Sequence, residues 1–219
     1  MWIGVVSLFP EMFKAVTDYG ISRRAVEKGL LALEVWNPRE FTEDKHRTVD
    51  DKPYGGGPGM LMKVQPLKDA INAAKNKAQG QCPVIYLSPQ GKPLDQADLA
   101  RLAMLPEVIL VAGRYEGIDE RLQKVHEIQE VSLGDFILSG GEPAAIALID
   151  ACVRLLPGIM GSVESGVEES FERGLLEYPH YTRPQAWRGI EVPKVLLSGN
   201  HEKIKDWRKS QSEQMTKER

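Results

Sequence analysis

The chain has 219 residues, of which 42% are hydrophobic and 27% charged, and its formal net charge is −3. A length and composition of this kind allow one large domain with a sizeable core, or a domain with a small appendage. The net negative charge excludes a protein that binds nucleic acid over its whole surface through positive charge, but it allows a local basic patch.

Cysteine usage and the N-terminus narrow the class of protein further. Cys82 and Cys152 both stand in apolar contexts, so neither a disulfide framework nor a thiolate metal site is expected. The first residues, MWIGVVSLFPEMF, lack the basic region of a signal peptide, and no apolar stretch reaches the length of a membrane span. We therefore expect a cytoplasmic protein that makes no contact with a membrane.

The first third of the chain is predicted to alternate strands and helices around one long loop. Residues 37–59 are charged and then glycine-rich, and loops of that length are usually functional or disordered. Ser22 is the expected N-cap of the second helix. The predicted elements are a strand at Trp2–Phe9, a helix from Pro10 toward Tyr19, a helix at Ser22–Lys28, a strand at Leu31–Trp36 and a helix at Pro66–Gln79.

Three later segments share the order strand, glycine-containing loop and helix. Their strands are Pro83–Leu87, Glu107–Ala112 and an apolar run from Val131, and a helix at about Asp95–Leu105 separates the first two. Repetition of this order is typical of a parallel α/β sheet, and ligands bind such sheets at the carboxyl ends of the strands. The three loops are therefore predicted to gather into one pocket lined by main-chain groups.

The third loop, SGGEP, leads into an almost wholly apolar segment, Ala144 to Leu156. Pro143 favours a helix start, and only Asp150 and Arg154 interrupt the apolar run, so this helix is expected to be buried on several sides. It is more apolar than one small domain easily covers, which favours a homodimer. A plain glycine turn between a core strand and a core helix is the alternative interpretation.

The C-terminal part follows a different pattern. Residues 1–160 are predicted to form the α/β ligand-binding domain, residues 161–174 a flexible linker, and residues 175–219 a small, mainly helical region. In the segment EYPHYTRP the prolines favour an extended backbone that exposes His180, Tyr181 and Arg183, and a Lys-rich helix is expected at about Asn200–Ser212.

The sequence contains no phosphate-binding P-loop, no dinucleotide-binding fingerprint and no nucleophile elbow. The loops alone favour a ligand with a cationic or hydrogen-bonding head and do not name it.

Several long motifs give the chain a specific resemblance. YLSPQG, GRYEGIDER, LGDFILSGGE, PHYTRP and VLLSGNH, in this order and after FPEMF and VDDKPYGGGPGM, resemble the bacterial tRNA (guanine-N1)-methyltransferases of the SPOUT superfamily. The resemblance implies an α/β fold with a deep trefoil knot, a homodimer, and methylation of guanine 37, immediately 3′ of the tRNA anticodon. It also implies S-adenosylmethionine as methyl donor, with magnesium as a further candidate cofactor.

The resemblance also implies which residues bind and react. The catalytic residues would be Arg154, which would stabilise charge on the guanine O6, Glu169 as general base, and Glu116 near the sulfonium charge. The donor pocket would be formed by Tyr86, Leu87, Ser88, Pro89, Gly113, Tyr115, Glu116, Leu133, Gly134, Asp135, Phe136, Ile137, Leu138, Gly140 and Gly141. The tRNA contacts would come from His180, Tyr181, Arg183, Lys203 and Arg208.

The sequence departs from the family pattern at two acids and at its end. Glu169 and Glu177 stand where the family has aspartates, and the C-terminal region is expected to be shortened. Two alternatives therefore stay open. One is a donor-binding but catalytically impaired RNA-binding protein. The other is a SPOUT methyltransferase that acts on another RNA atom, although the presence of PHYTRP and Arg154 argues against it.

Overall fold

The structure is a computed structural model that describes residues 1–160, 170–171 and 174–219. The chain divides into two compact units, Met1–Ile159 and Met160–Arg219. The linker expected at residues 161–174 lies largely outside the described residues.

The first unit is built on a parallel β-sheet. The strands of the unit are β1 (Trp2–Val6), β2 (Ala32–Trp36), β3 (Asp50–Asp51), β4 (Leu61–Met62), β5 (Val84–Pro93), β6 (Glu107–Val111) and β7 (Gln129–Ser132). Five of them pair in the order β2-β1-β6-β5-β7, and every pairing is parallel. The predicted α/β class with a parallel sheet is confirmed. The carboxyl ends of these strands consequently meet at one edge.

Helices cover both faces of this sheet. They are α1 (Lys14–Thr17), α2 (Gly20–Glu27), α3 (Val64–Lys77), α4 (Gln96–Ala103), α5 (Glu120–His126) and α6 (Glu142–Arg154). Side chains of α1, α2 and α6 pack with Ile3, Leu110 and their neighbours on one face, while α3 and α5 pack with Ile109 and Val111 on the other. Burial on both faces explains why the strands are continuously apolar rather than alternating.

Two local predictions were wrong in detail. The second helix begins at Gly20, and Ser22 lies inside it, where its hydroxyl donates to the Tyr19 carbonyl over 3.2 Å instead of capping the helix. The segment from Ser88 to Gly91 is part of β5 rather than a loop after it, with an irregularity between Leu87 and Lys92. A glycine is needed at position 91 because a Cβ there would overlap the Val131 backbone.

Most of the apolar side chains of α6 are buried within the first unit. Its buried residues pack into the chain's own core, and one stripe of the helix, formed by Ala147, Asp150 and Arg154, stays exposed. The burial predicted for this helix is confirmed on most of its surface. The apolar composition of α6 by itself therefore no longer argues for a dimer.

The second unit contains a short hairpin and a long helix. The hairpin pairs β8 (Ala186–Trp187) with β9 (Ile190–Glu191), and the helix α7 runs over His201–Glu218, beyond the end predicted at Ser212. The side chain of Asn200 caps α7 by accepting from the Lys203 amide over 3.1 Å.

Two expectations concern the molecule as a whole. Of the helices in the described part of the chain, none combines the length and the apolar composition needed to cross a membrane. The trefoil knot that the resemblance implies stays a prediction.

Candidate functional site

A cavity of about 330 Å³ opens at the carboxyl ends of β6 and β7 and beside the middle of β5. Three segments line it: residues 86–90 of β5, the loop after β6, and the stretch from β7 to the start of α6. Asp135 is exposed and, alone among the predicted donor-site residues, lies outside the lining that the structure describes. The predicted residues in the lining are Tyr86, Leu87, Ser88, Pro89, Gly113, Tyr115, Glu116, Leu133, Gly134, Phe136, Ile137, Leu138, Gly140 and Gly141.

Close backbone approach shapes the floor of this cavity. The Gly141 amide donates to the Gly113 carbonyl over 2.8 Å, and a Cβ on Gly141 would lie 2.8 Å from the Cα of Ala112. A Cβ on Gly113 would in turn lie 2.6 Å from the Tyr86 ring. Glycine is therefore required at both positions, because a side chain at Gly141 would overlap the Ala112 backbone and one at Gly113 would overlap the Tyr86 ring.

The loop after β6 is held in an unusual conformation. Tyr115 has a φ of 60°, in the left-handed region that non-glycine residues rarely adopt. The loop is fixed from outside, since the Glu116 amide donates to the Met60 carbonyl over 2.8 Å and the Met62 amide donates to the Gly117 carbonyl over 3.0 Å. Backbone strain that is stabilised in this way is frequent at ligand-binding sites.

The charged groups around the cavity are mostly acidic. Glu116, Glu120 and Glu130 line it together with Arg114. Burial, and secondarily the charge of Glu130, raises the pKa of Tyr86 to about 12, so the phenol keeps its proton at neutral pH. The cavity thus offers carboxylates and a neutral hydroxyl donor, which suits a cationic ligand.

Of the predicted catalytic residues, the structure describes Glu116 and Arg154, and it places them far apart in one copy of the chain. Glu116 is exposed and lines the cavity. Arg154 is the last residue of α6, whose first residue, Glu142, lies beside the cavity, so a rise of 1.5 Å per residue separates the two by about 18 Å. Glu169 lies outside the described residues.

The predicted RNA-binding residues lie in the second unit. His180 lies 2.9 Å from Glu177, and the Tyr181 ring contacts the Trp207 ring with centroids 6.3 Å apart. The Arg208 guanidinium lies over the Tyr178 ring, 4.7 Å from its centroid, so this arginine has a structural contact of its own. Arg183 and Lys203 are exposed.

Sequence reasoning missed a buried polar cluster beside the cavity. Glu142 is fully buried, and it accepts from the Ser7 hydroxyl over 2.8 Å and from the Arg114 Nε over 2.7 Å. The resemblance places the donor pocket along Gly113 to Glu116, but the sequence predicts a plain strand around Ser7 and does not indicate that Ser7, Arg114 and Glu142 meet. The available signal was Glu142 itself, because a carboxylate that begins an apolar helix needs partners.

No group of three or more His, Cys, Asp or Glu side chains is arranged to hold a metal ion among the residues that the structure describes.

Comparison with known proteins identifies relatives along the whole chain. A family described as tRNA (guanine-1)-methyltransferase TrmD matches residues 1–219. The chain is 63% identical over 212 residues to the tRNA (guanine-N(1)-)-methyltransferase of Sodalis glossinidius (strain morsitans), covering 97% of this chain and 84% of the relative. Proteins of the same name from Photobacterium profundum and Escherichia coli O139:H28 are 59% and 60% identical over 212 residues. These two matches cover 97% of this chain and 85% and 83% of the relatives.

Proposed function

The chain belongs to the tRNA (guanine-1)-methyltransferase family, and from this membership we propose that it transfers a methyl group from S-adenosylmethionine to tRNA. The acceptor atom is N1 of guanine 37, immediately 3′ of the anticodon, and the reaction takes place in the cytoplasm. The observation that supports this proposal best is the cavity of about 330 Å³, where β5, the loop after β6 and the stretch from β7 to α6 meet.

The properties of the cavity fit the proposed donor. Pockets for ligands of this size have volumes of about 300–1,000 Å³ and position a few polar groups among apolar ones. The main-chain groups beside Gly113 and Gly141 can read the hydrogen-bonding edge of an adenine, and the apolar side chains of Leu87 and Leu138 can flank its ring. The carboxylate of Glu116 supplies negative charge for a sulfonium.

The reaction requires N1 of guanine to lose a proton while the methyl group is transferred. The donor supplies a methyl group activated by the positive charge on sulfur. We assign proton removal to Glu169, and we assign stabilisation of the charge that develops on O6 to Arg154. Alignment of the two reacting groups in the cavity supplies much of the remaining acceleration.

A homodimer accounts for the position of Arg154. In one copy of the chain this arginine is about 18 Å of helix away from the residue that borders the cavity. A second copy, related by two-fold symmetry, would bring its own Arg154 to the first copy's cavity. The exposed side chains of Phe136 and Ile137, which are 54% and 81% accessible beside the cavity, support an interface there.

The tRNA is expected to contact exposed cations and rings of the second unit. Arg183 and Lys203 are exposed and can meet phosphates, and His180 and Tyr181 offer rings on which a base can stack. Arg208 already packs on Tyr178, so its contribution would be partly indirect.

The decisive experiment follows transfer of radiolabel from S-adenosylmethionine to tRNA transcripts. A transcript with guanine at position 37 should be labelled, and nuclease digestion should release 1-methylguanosine. The matched control transcript carries adenine at this position and should stay unlabelled. Donor binding without labelling of any transcript would favour the impaired RNA-binding protein, and label on a ribose would favour a different acceptor atom. Repeating the assay with a chelator tests the candidate role of magnesium.

A further inference from the structure

A fully buried carboxylate connects two of the segments that line the cavity. Glu142 has no exposed surface, and its two oxygens accept from the Ser7 hydroxyl over 2.8 Å and from the Arg114 Nε over 2.7 Å. An ionised carboxylate is costly to bury unless such partners satisfy it, so the three side chains form one interdependent group. Glu142 also begins α6, where the positive end of the helix dipole favours a negative charge.

Arg114 extends this group to the wall of the cavity. The Arg114 side chain is 18% exposed and lines the cavity. Its Nη1 donates to the Ser139 carbonyl over 3.0 Å. Its guanidinium lies over the Phe9 ring, 4.5 Å from the centroid. A Cβ on Gly140 would overlap this guanidinium. The arginine therefore fills the space that the glycine turn leaves open.

The group joins three parts of the chain that are distant in sequence. Ser7 follows β1, Arg114 follows β6, and Glu142 begins α6 immediately after the glycine turn. The neighbouring bond from the Gly141 amide to the Gly113 carbonyl, 2.8 Å long, lies between the same two loops. The buried side-chain group and this backbone bond therefore connect the same two loops beside the cavity.

We propose that Ser7, Arg114 and Glu142 are positioning residues that set the affinity for the methyl donor by holding the glycine turn against the loop after β6. They act through the two loops and do not touch the reacting atoms. The inference rests on the proposed donor-binding function. The competing explanation is that the three residues only stabilise the folded chain.

The two explanations differ in how donor affinity and stability respond to paired substitutions. Arg114→Met leaves the buried Glu142 carboxylate without its cation, whereas Arg114→Met combined with Glu142→Gln removes both charges. The double variant should therefore regain melting temperature relative to Arg114→Met. The side-chain bonds between the two loops are still missing in the double variant, so its donor affinity should stay weak.

The test measures the Kd of S-adenosylmethionine by titration calorimetry, at a temperature at which circular dichroism shows every variant folded. We expect Glu142→Gln, Arg114→Met and the double variant each to raise Kd by about tenfold or more, the size of a typical coupling between neighbouring sites. Arg114→Lys keeps the charge but loses the second donor to Ser139, so its Kd should lie between those of the parent and Arg114→Met. Arg23→Met removes an exposed ion pair with Glu27 and serves as the matched control with unchanged Kd.

Three results would overturn the inference. The first is parent-like donor affinity in all folded variants. The second is recovery of affinity in the double variant in parallel with its melting temperature, which would mean that the group only stabilises the fold. A parent chain that binds no donor would instead contradict the proposed function, and the inference would fall with it. If Arg114→Met does not fold, Glu142→Gln and Arg114→Lys carry the test, and parent-like donor affinity in both of these variants would overturn the inference.

Discussion

The Gly141 amide donates to the Gly113 carbonyl over 2.8 Å, and this single bond joins the start of α6 to the loop after β6. The two glycines approach so closely that a Cβ on Gly141 would lie 2.8 Å from the Gly113 nitrogen. The neighbours of such a Cβ are backbone atoms, which cannot swing aside as the end of a side chain could. The floor of the cavity therefore tolerates no side chain at position 141.

Gly141→Ala should abolish the stabilisation of the chain by S-adenosylmethionine. At a donor concentration of 100 times Kd the parent gains about 2.7 kcal/mol, which corresponds to roughly 5–10 °C in melting temperature for a chain of this size. Gly80→Ala is the matched control, because the nearest atom to a Cβ there is 3.8 Å away. Differential scanning fluorimetry measures both. A folded Gly141→Ala variant with the parent's shift would remove this turn from the donor site.

The architecture of the sheet could be predicted because it depends on local patterns. The repeated order of apolar strand, glycine-containing segment and helix predicted the parallel class, and the three glycine-containing segments did meet in one cavity. The continuation of β5 through Ser88–Gly91 could not be predicted in this way. It depends on pairing with β7 around Val131, a partner that only the tertiary fold supplies.

The buried group beside the cavity was hidden for the same reason. Ser7 and Glu142 are 135 residues apart in the chain, and a serine at the end of a strand carries no local sign of a buried carboxylate partner. The distance between Arg154 and the cavity could not be predicted either, because the motif that identifies this arginine carries no information about its position in the fold. Motifs identified residue types, and the fold determined which of them meet.

Arg154 should act on the cavity of the other subunit in the proposed homodimer. Arg154→Ala and Gly141→Val would each be inactive alone, because each damages both sites of its own homodimer. Mixed and allowed to reassociate, half of the dimers would be hybrids with one intact site, giving about a quarter of the parent activity. Methyl transfer to tRNA after unfolding and refolding of the mixture measures this. Activity no higher than that of the separate variants would place Arg154 in its own subunit's site.

Glu169→Gln should leave donor binding nearly intact and reduce the single-turnover rate by about a hundredfold or more, the usual contribution of a general base. Glu168→Gln is the control with the neighbouring acid removed, and it should react at the parent's rate. Glu169→Asp introduces the aspartate that the resemblance implies for this position, and we expect it to match or exceed the parent's rate. Normal turnover by Glu169→Gln together with a dead Glu168→Gln would move the base by one residue.

Lys203→Ala should weaken tRNA binding similarly for all transcripts, because a lysine near a phosphate contributes charge rather than base recognition. The slope of the logarithm of the binding constant against the logarithm of salt concentration should fall in magnitude by about 1. Filter binding between low and moderate salt measures this slope. Lys217→Ala, at the other end of α7, removes an equal charge, and an identical change of slope in that control would show that Lys203 has no specific place in the interface.

The stability of the first unit should depend on Asp98 in the acid range. Its carboxyl accepts two bonds of 3.1 Å from Lys92, forms a reciprocal cap with Asp95 at the start of α4, and pairs with Arg101. The bond from Lys92 makes the largest contribution to holding the pKa of Asp98 below its ordinary value of 3.8. The folded state thus binds this proton less readily than the unfolded state does, so the stabilisation is complete above the ordinary pKa and is lost as the pH falls through the lowered one.

Asp98→Asn removes the titrating group and tests this dependence directly. The difference in unfolding free energy between parent and variant, measured with urea, should be constant from pH 7 to about pH 5 and should shrink steadily below about pH 4. Lys92→Met removes the main cause of the lowered pKa, so the loss of stability should begin at a higher pH than in the parent. A difference between parent and Asp98→Asn that stays the same down to about pH 3 would mean that another carboxyl group governs acid unfolding of this unit.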